Sequence, residues 1–245
     1  MRNRLYYFLE LVFLIPLFPL FYFEGKKLRR KVRRLKPYSE YQQLGNSDKS
    51  KILIIGESTA AGVGASSSDK TIASGVFKEL GNSTAILNIG KNGLLAARLH
   101  SLLIHGLDDE NWKAETAIIL IGANDCFKFT PPGKFYKNLS DFKTTLQAEI
   151  GTKQIILPAI PPVNLFPSIP PVLRFFLGWH RKILMAEIQK LANTYDSISL
   201  IDFKMDFPKT FFADDGIHPS DSGYEMMAKE ISDTIQKPHN EVIKK

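Results

Sequence analysis

Apolar positions along this chain fall into two regimes. Residues 5–23, LYYFLELVFLIPLFPLFYF, are apolar around the whole helical wheel and are broken only by Glu10, Pro16 and Pro19. From Lys51 onward, short apolar runs alternate with longer amphipathic stretches. The runs at 51–55 (KILII), 85–88 (AILN), 116–121 (TAIILI), 154–157 (QIIL) and 199–201 (SLI) predict strands. Most lack period-two alternation, as expected of strands buried on both faces. The spacing predicts helices near 70–80, 93–105, 135–150, 172–194 and 221–236. Strand and helix alternating in this way argue for a parallel sheet flanked by helices, with ligand sites at the carboxyl ends of the strands.

The N-terminal run predicts a membrane helix. Nineteen residues in α-helical form reach roughly 28 Å, close to the hydrocarbon thickness of a bilayer. The uninterrupted stretch Leu11–Phe23 is only thirteen residues long, which equally suits an interfacial segment. A buried helix of a soluble protein would leave no polar face for solvent here. A cleaved signal peptide would need a small-residue cleavage site, and Phe23-Glu24-Gly25-Lys26-Lys27 offers none. The expected organisation is an anchor over 1–25, a basic juxtamembrane segment and polar linker over 26–50, a folded domain over 51–236 and a short tail over 237–245.

Charge sharpens that picture. The chain has 245 residues, with 32 basic and 25 acidic side chains. Residues 1–36 hold ten of the basic and two of the acidic groups, leaving 22 and 23, a net of −1, for residues 37–245. The basic character therefore belongs to the N-terminal segment, and the rest of the chain has no field to attract nucleic acid. Eight Lys/Arg crowd residues 26–36 just after the apolar run. That bias predicts a cytoplasmic domain and adhesion of 26–36 to anionic lipid. A single cysteine, Cys126, excludes intrachain disulfides and zinc sites built on paired cysteines; it is expected to be a small packed residue.

Polar clusters follow the predicted strands: Gly56-Glu57-Ser58, Asn88–Gly93, Gly122-Ala123-Asn124-Asp125 and Asp215-Gly216-Ile217-His218. Singly, each has an ordinary explanation. Ser58 could cap a helix, Gly93 could form a turn, Asn124-Asp125 could close a loop, and His218 could be a surface histidine. Together they supply an acyl-transfer site. Ser58 would be the nucleophile, His218 its base, and Asp215 the group that orients the imidazole. The amides of Ser58 and Gly93 and the side-chain NH₂ of Asn124 would face the oxyanion.

These blocks resemble the SGNH, or GDSL-type, hydrolases over roughly Lys51–Gln236. Gly56-Glu57-Ser58 is similar to the first block, Asn88–Gly93 to the second, Gly122–Asp125 to the third and Asp215–His218 to the fifth. The resemblance implies a flavodoxin-like three-layer α/β/α fold and esterase, lipase or acylhydrolase chemistry with no metal or cofactor. It makes Ser58, Gly93, Asn124 and His218 the namesake residues, with Asp215 completing the triad. Glu57 replaces the usual Asp and is expected not to touch substrate. The second block has the form N-x-G-x-x-G, which favours Gly93 over Gly90 as oxyanion donor. The G-x-S-x-G elbow of α/β-hydrolases is absent, since Ala60 stands where its second glycine would be.

Between the third and fifth blocks lies PAIPPVNLFPSIPPVLRFFLGW, residues 158–179. It reads either as a packed connector or as an apolar wall for an acyl chain, with Phe166, Leu173 and Phe176 as candidate substrate contacts. Arg174, Arg181 and Lys182 are candidate lipid-headgroup contacts. The expected substrate is a small-molecule or lipid acyl ester. Two other functions suit the same residues: a non-catalytic membrane-bound binding protein, and an acyltransferase with an alcohol acceptor.

Overall fold

The computed structural model describes residues 2–46, 50–81, 83–109, 111–203 and 205–236. The expected tail over 237–245 lies outside the described residues. The centre is a six-stranded sheet of β1 (Tyr41–Leu44), β2 (Lys51–Gly56), β3 (Ala85–Gly90), β4 (Thr116–Leu120), β5 (Gln154–Pro158) and β6 (Ile198–Ile201), in the spatial order β1-β3-β2-β4-β5-β6. All pairings are parallel except β1 with β3.

The absence of alternation in the strands follows from two cores. Leu53 and Ile55 of β2, with Ala117 and Ile119 of β4, face α3 (Leu99–Gly106), α5 (Pro132–Thr145) and α6 (Pro171–Thr194). Ile52 and Ile54, with Ile118 and Leu120, face α2 (Ile72–Glu79) and α7 (Asp221–Gln236). Beyond the first residue of each, every position of these strands is buried, so none can be polar without a partner. The result is the three-layer α/β/α arrangement. A short helix α4 (Ala123–Phe127) follows β4.

The strand that the sequence does not announce is β1. Its segment, YQQL, reads as polar linker, yet it forms an antiparallel edge strand with Tyr41 opposite Ile89. Half-exposed glutamines suit a sheet edge, where one side of each residue stays in water. Gln42 Nε2 fixes the strand to α2 by donating to Ser74 Oγ at 3.0 Å.

The first helix, α1 (Arg2–Lys31), runs through Pro16 and Pro19 and packs along α6. Its segment Asn3–Leu28 is apolar and long enough to cross a membrane, by length and composition. As a fact of composition it is suited to be a membrane anchor or a signal sequence.

One buried polar residue inside the sheet has a structural reason. Asn88 of β3 is fully buried, and its Nδ2 donates to Ser39 O at 2.5 Å and Ala60 O at 2.9 Å. Ala60 O also accepts from Ser39 Oγ at 2.8 Å, so Asn88 holds the segment before β1 to the turn after β2. Asn88→Ala is expected to cost about 1–3 kcal/mol, because Ser39 O loses this partner in a dry site. Urea unfolding checks this; a midpoint shift within error would show that the brace carries no stability.

Candidate active site

The turn after β2 brings Ser58 to the carboxyl edge of the sheet. Gly56 lies so close to β4 that a Cβ there would stand 2.0 Å from Leu120 O, which leaves room only for glycine. The turn closes through Ala61 N to Glu57 O and Val63 N to Ser58 O, both at 3.0 Å. Tyr224 of α7, almost fully buried, donates its hydroxyl to Val63 O at 2.8 Å and ties the turn to the opposite layer. Gly64, at φ +99°, lets the chain pass beside the loop of His218; a Cβ would meet Pro219 O at 2.4 Å.

That loop carries the acid–base pair. His218 Nδ1 lies 2.5 Å from Asp215 Oδ2. The other carboxylate oxygen accepts from the backbone amides of Ile217 and His218, each at 3.0 Å. Burial pushes the Asp215 carboxyl up, but the hydrogen bond and charge of His218 and the two amides outweigh it, so the group is held below its ordinary range. The neighbouring Asp214 points into solvent, 3.4 Å from Arg33. Ser168 Oγ donates to Asp215 O at 2.5 Å, so the proline-rich segment supports this loop.

Glu57, expected not to touch substrate, is bonded to the segment after β4. Its carboxylate is buried and accepts from Ala123 N at 2.8 Å, Asn124 N at 2.9 Å and Asn124 Nδ2 at 2.5 Å. It joins the turn after β2 to the segment after β4. Burial pushes its pKa up to about 7, against the pull of the amides that it accepts. Asp125, fully buried, accepts from Ala96 N at 3.0 Å and so links the same segment to the stretch after β3. Burial raises its pKa, and the hydrogen bonds of Ala96 and Thr130 oppose the rise. Cys126 is buried too, which pushes its thiol up and suits a packed residue.

Ser58, Asn124 and His218 line one cavity of about 220 Å³, together with Glu57. Most of the remaining wall is apolar, with Phe127, Phe166, Phe203, Phe207 and Phe211 prominent. Of the three candidate substrate contacts, only Phe166 reaches it. Leu173 and Phe176 are buried elsewhere in the domain, and the Phe176 ring packs on Phe21 of α1 with centroids 5.0 Å apart. Gly93 is exposed at φ +79°, next to Asn92, which does line the cavity. Gly90 is excluded as a donor, because its amide bonds to Glu40 O at 2.8 Å. Arg174 and Arg181 are turned to backbone carbonyls: Ile169 O and Pro167 O for the first, Ile160 O and Pro161 O for the second. Lys182 is exposed. Among the described residues, no group of three His, Cys, Asp or Glu is arranged to hold a metal ion.

The aromatic residues of 203–211 were not legible as cavity wall, since they follow β6 in what reads as a loop. The usable signal was their spacing: Phe203, Phe207 and Phe211 recur every four residues just upstream of the Asp215 loop.

Solved structures with related folds are numerous. The protein named TesA is 20% identical with a TM-score of 0.59, the match covering 76% of this chain and 98% of that one. A lipase/acylhydrolase from Enterococcus faecalis is 20% identical at TM-score 0.55, covering 76% and 95%. A catalytic mutant of Axe2, an acetylxylan esterase from Geobacillus stearothermophilus, is 16% identical at TM-score 0.56, covering 80% and 98%. At these identities the likeness is one of fold. No curated protein gives a significant sequence match. Residues 54–226 match the sequence profile of the GDSL-like Lipase/Acylhydrolase family, and this stretch contains the turn of Ser58, the Asn124 segment and the Asp215–His218 loop. The chain belongs to the GDSL-like lipase/acylhydrolase family.

Proposed function

We propose that the protein is a membrane-held serine esterase that cleaves a carboxylic ester through Ser58, His218 and Asp215. The observation that carries this is the Asp215–His218 pair, 2.5 Å apart, on the cavity that Ser58 also lines. Asp215 bonds to Nδ1 of His218, which leaves Nε2 as the nitrogen to take the Ser58 proton. Ser58 Oγ then adds to the ester carbonyl, and the oxyanion is met by the amides of Ser58 and Gly93 and by Asn124 Nδ2. Collapse expels the alcohol, which receives the proton from His218. Water, activated by the same histidine, releases the acyl group from Ser58. The aromatic wall suits an acyl chain, as in a lipid-like ester.

Glu57 has a positioning role in this scheme. The Asn124 amide has two N–H bonds, and Glu57 takes one, which fixes the direction of the other. A donor aimed in advance needs no reorganisation as charge develops, and this is where such groups gain their effect.

The N-terminal helix would hold the enzyme at a membrane, with the domain on the cytoplasmic side. The support is the excess of Lys/Arg over 26–36 against Arg2 and Arg4 before the apolar run. In a bacterial host, a C-terminal green fluorescent protein fusion should glow and an alkaline phosphatase fusion should be inactive; the reverse pattern puts the domain outside.

Ser58→Ala and His218→Ala should each remove nearly all hydrolysis of p-nitrophenyl acetate while leaving the melting temperature close to the parent's, since both disable one proton transfer. Asp214→Asn should leave turnover intact. A fluorophosphonate probe should label Ser58, and labelling of another serine would sink the assignment. Asn124→Ala should lower kcat by about 10²-fold with little change in KM.

Glu57 also predicts a pH dependence. Its pKa rises from 4.5 to about 7 on folding, so folding takes up a proton between those values. The stability it contributes is fully present below about pH 4.5 and is lost as pH rises toward about 7, by a few kcal/mol. The stability difference between the parent and Glu57→Gln, measured by urea unfolding from pH 4 to 8, should fall across that window. A difference that stays constant would refute the assignment.

A further inference from the structure

We propose that α1 lies flat in the membrane interface, clamped along α6, and does not cross the bilayer. This rests on the membrane reading above and decides between its two forms.

The helix is inverted with respect to an ordinary surface helix. Asn3, Tyr7, Glu10, Leu14, Leu17 and Phe21 turn toward the domain, at the alternating four- and three-residue steps of a packed helical seam. This inward stripe carries the polar groups. The outward face carries Leu5, Phe8, Val12, Ile15, Phe18 and Phe23, with exposures from 49% to 71%. They form a strip about 27 Å long. An exposed face this apolar marks a contact surface, here one without a protein partner among the described residues.

The inward contacts fix α1 antiparallel to α6. Asn3 Nδ2 donates to Ile183 O at 3.1 Å and to Glu187 Oε1 at 2.6 Å. Glu10 Oε2 lies 2.7 Å from His180 Nδ1, and both side chains are wholly buried. The Nε2 of His180 faces Thr130 O at 3.2 Å, so both ring nitrogens meet acceptors. Phe13 packs near Trp179 and Phe21 on Phe176. A helix that left the domain to cross a bilayer would strand Glu10 and His180, each without the other, in apolar surroundings.

Nor can the two helices enter the hydrocarbon together. Arg181, Lys182, Glu187 and Lys190 occur along the length of α6 that α1 follows, and Lys182 and Lys190 are exposed. Such groups are costly at the bilayer centre. Flat docking satisfies both helices: α6 stays with the domain while the outer face of α1 meets acyl chains.

Charge names the partner as an anionic bilayer. Lys26, Lys27, Arg30 and Lys31 extend the helix beyond its apolar strip, and Arg33 and Arg34 follow directly after its end. Their end overhangs the site, because Leu28, Val32, Arg33 and Arg34 edge a groove that also includes Asn92 and His218. Flat docking therefore sets the mouth beside His218 at headgroup level.

The test uses the full chain with single cysteines at Phe8→Cys, Ile15→Cys and Tyr22→Cys, each carrying a nitrobenzoxadiazole label. The parent, whose one thiol is buried, serves as the blank. Vesicles of phosphatidylcholine and phosphatidylglycerol contain quenchers at shallow or deep acyl positions. The proposal expects all three labels at one shallow depth. A label at residue 15 much deeper than those at 8 and 22 would mean a span and overturn the proposal, leaving membrane attachment intact. No quenching at any position would overturn both. In bound protein, Phe13→Cys with Trp179→Cys should cross-link with a short bis-maleimide, since the parent rings are 6.1 Å apart; failure to link would also overturn it. Neither readout involves ester hydrolysis, so loss of the Ser58 mechanism leaves both unchanged.

Discussion

A sheet covered by helices on both faces has little room for a polar side chain except at the ends of its strands, unless, like Asn88, it is held by hydrogen bonds. This constraint organises the molecule. Ile52 to Ile55 and Ala117 to Leu120 are all buried, and each side chain is committed to one of two cores. Polar residues accumulate where the strands stop: Glu57 and Ser58 after β2, Asn92 after β3, Asn124 and Asp125 after β4. The spatial order places β2 between β3 and β4, so these three loops converge without any long excursion of the chain. The fourth contribution, Asp215–His218, arrives from the far layer and is held by Gly64 and by the proline-rich segment.

Burial at that edge also explains why its carboxylates take donors from other loops. Glu57 and Asp125 are both removed from water; Glu57 accepts from two backbone amides and Asp125 from one, each from a different loop. A buried carboxylate without such donors would be expensive. With them it becomes a fastener between loops that no strand pairing connects. Asp215 is the third buried carboxylate, and its donors include the histidine that it orients. The same chemistry thus serves two ends: tying loops together, and setting the direction of a ring or an amide. In this light the exchange of Asp for Glu in the first block is not idle, because the longer side chain spans to Ala123 N and Asn124 N.

Much of this was legible in sequence. The five parallel strands show as apolar runs without alternation, and α2, α5, α6 and α7 show by helical period. Ser58, Asn124, Asp215 and His218 stand in motifs whose order alone suggests a site, and the fold brings them to one edge. What stayed hidden was tertiary. The strand β1 exists because β3 offers it a free edge, not because YQQL favours extension. Leu173 and Phe176 are as apolar as Phe166, but they lie on α6 and Phe166 lies before it, and only the tertiary packing of these segments decides which reaches the cavity. The role of Glu57 depends on a contact with a segment more than sixty residues away in the chain, and no local pattern reports it.

The N-terminal helix shows how one residue can carry opposite meanings. In a sequence read for spans, Glu10 is a flaw in an apolar run. In the structure it is one member of a regular seam, with Asn3 and Tyr7 on the same stripe, and its partner His180 is equally buried. The seam spacing was present in the sequence all along, but the apolar residues around it are so dense that no hydrophobic face stands out. The informative pattern was the placement of the few polar groups. A helix with Asn3 and Glu10 turned inward and most of its large apolar residues outward is built for two different neighbours at once, a protein domain on one side and an apolar medium on the other. The proximity of its basic end to His218 then ties where the protein rests to what its site can reach.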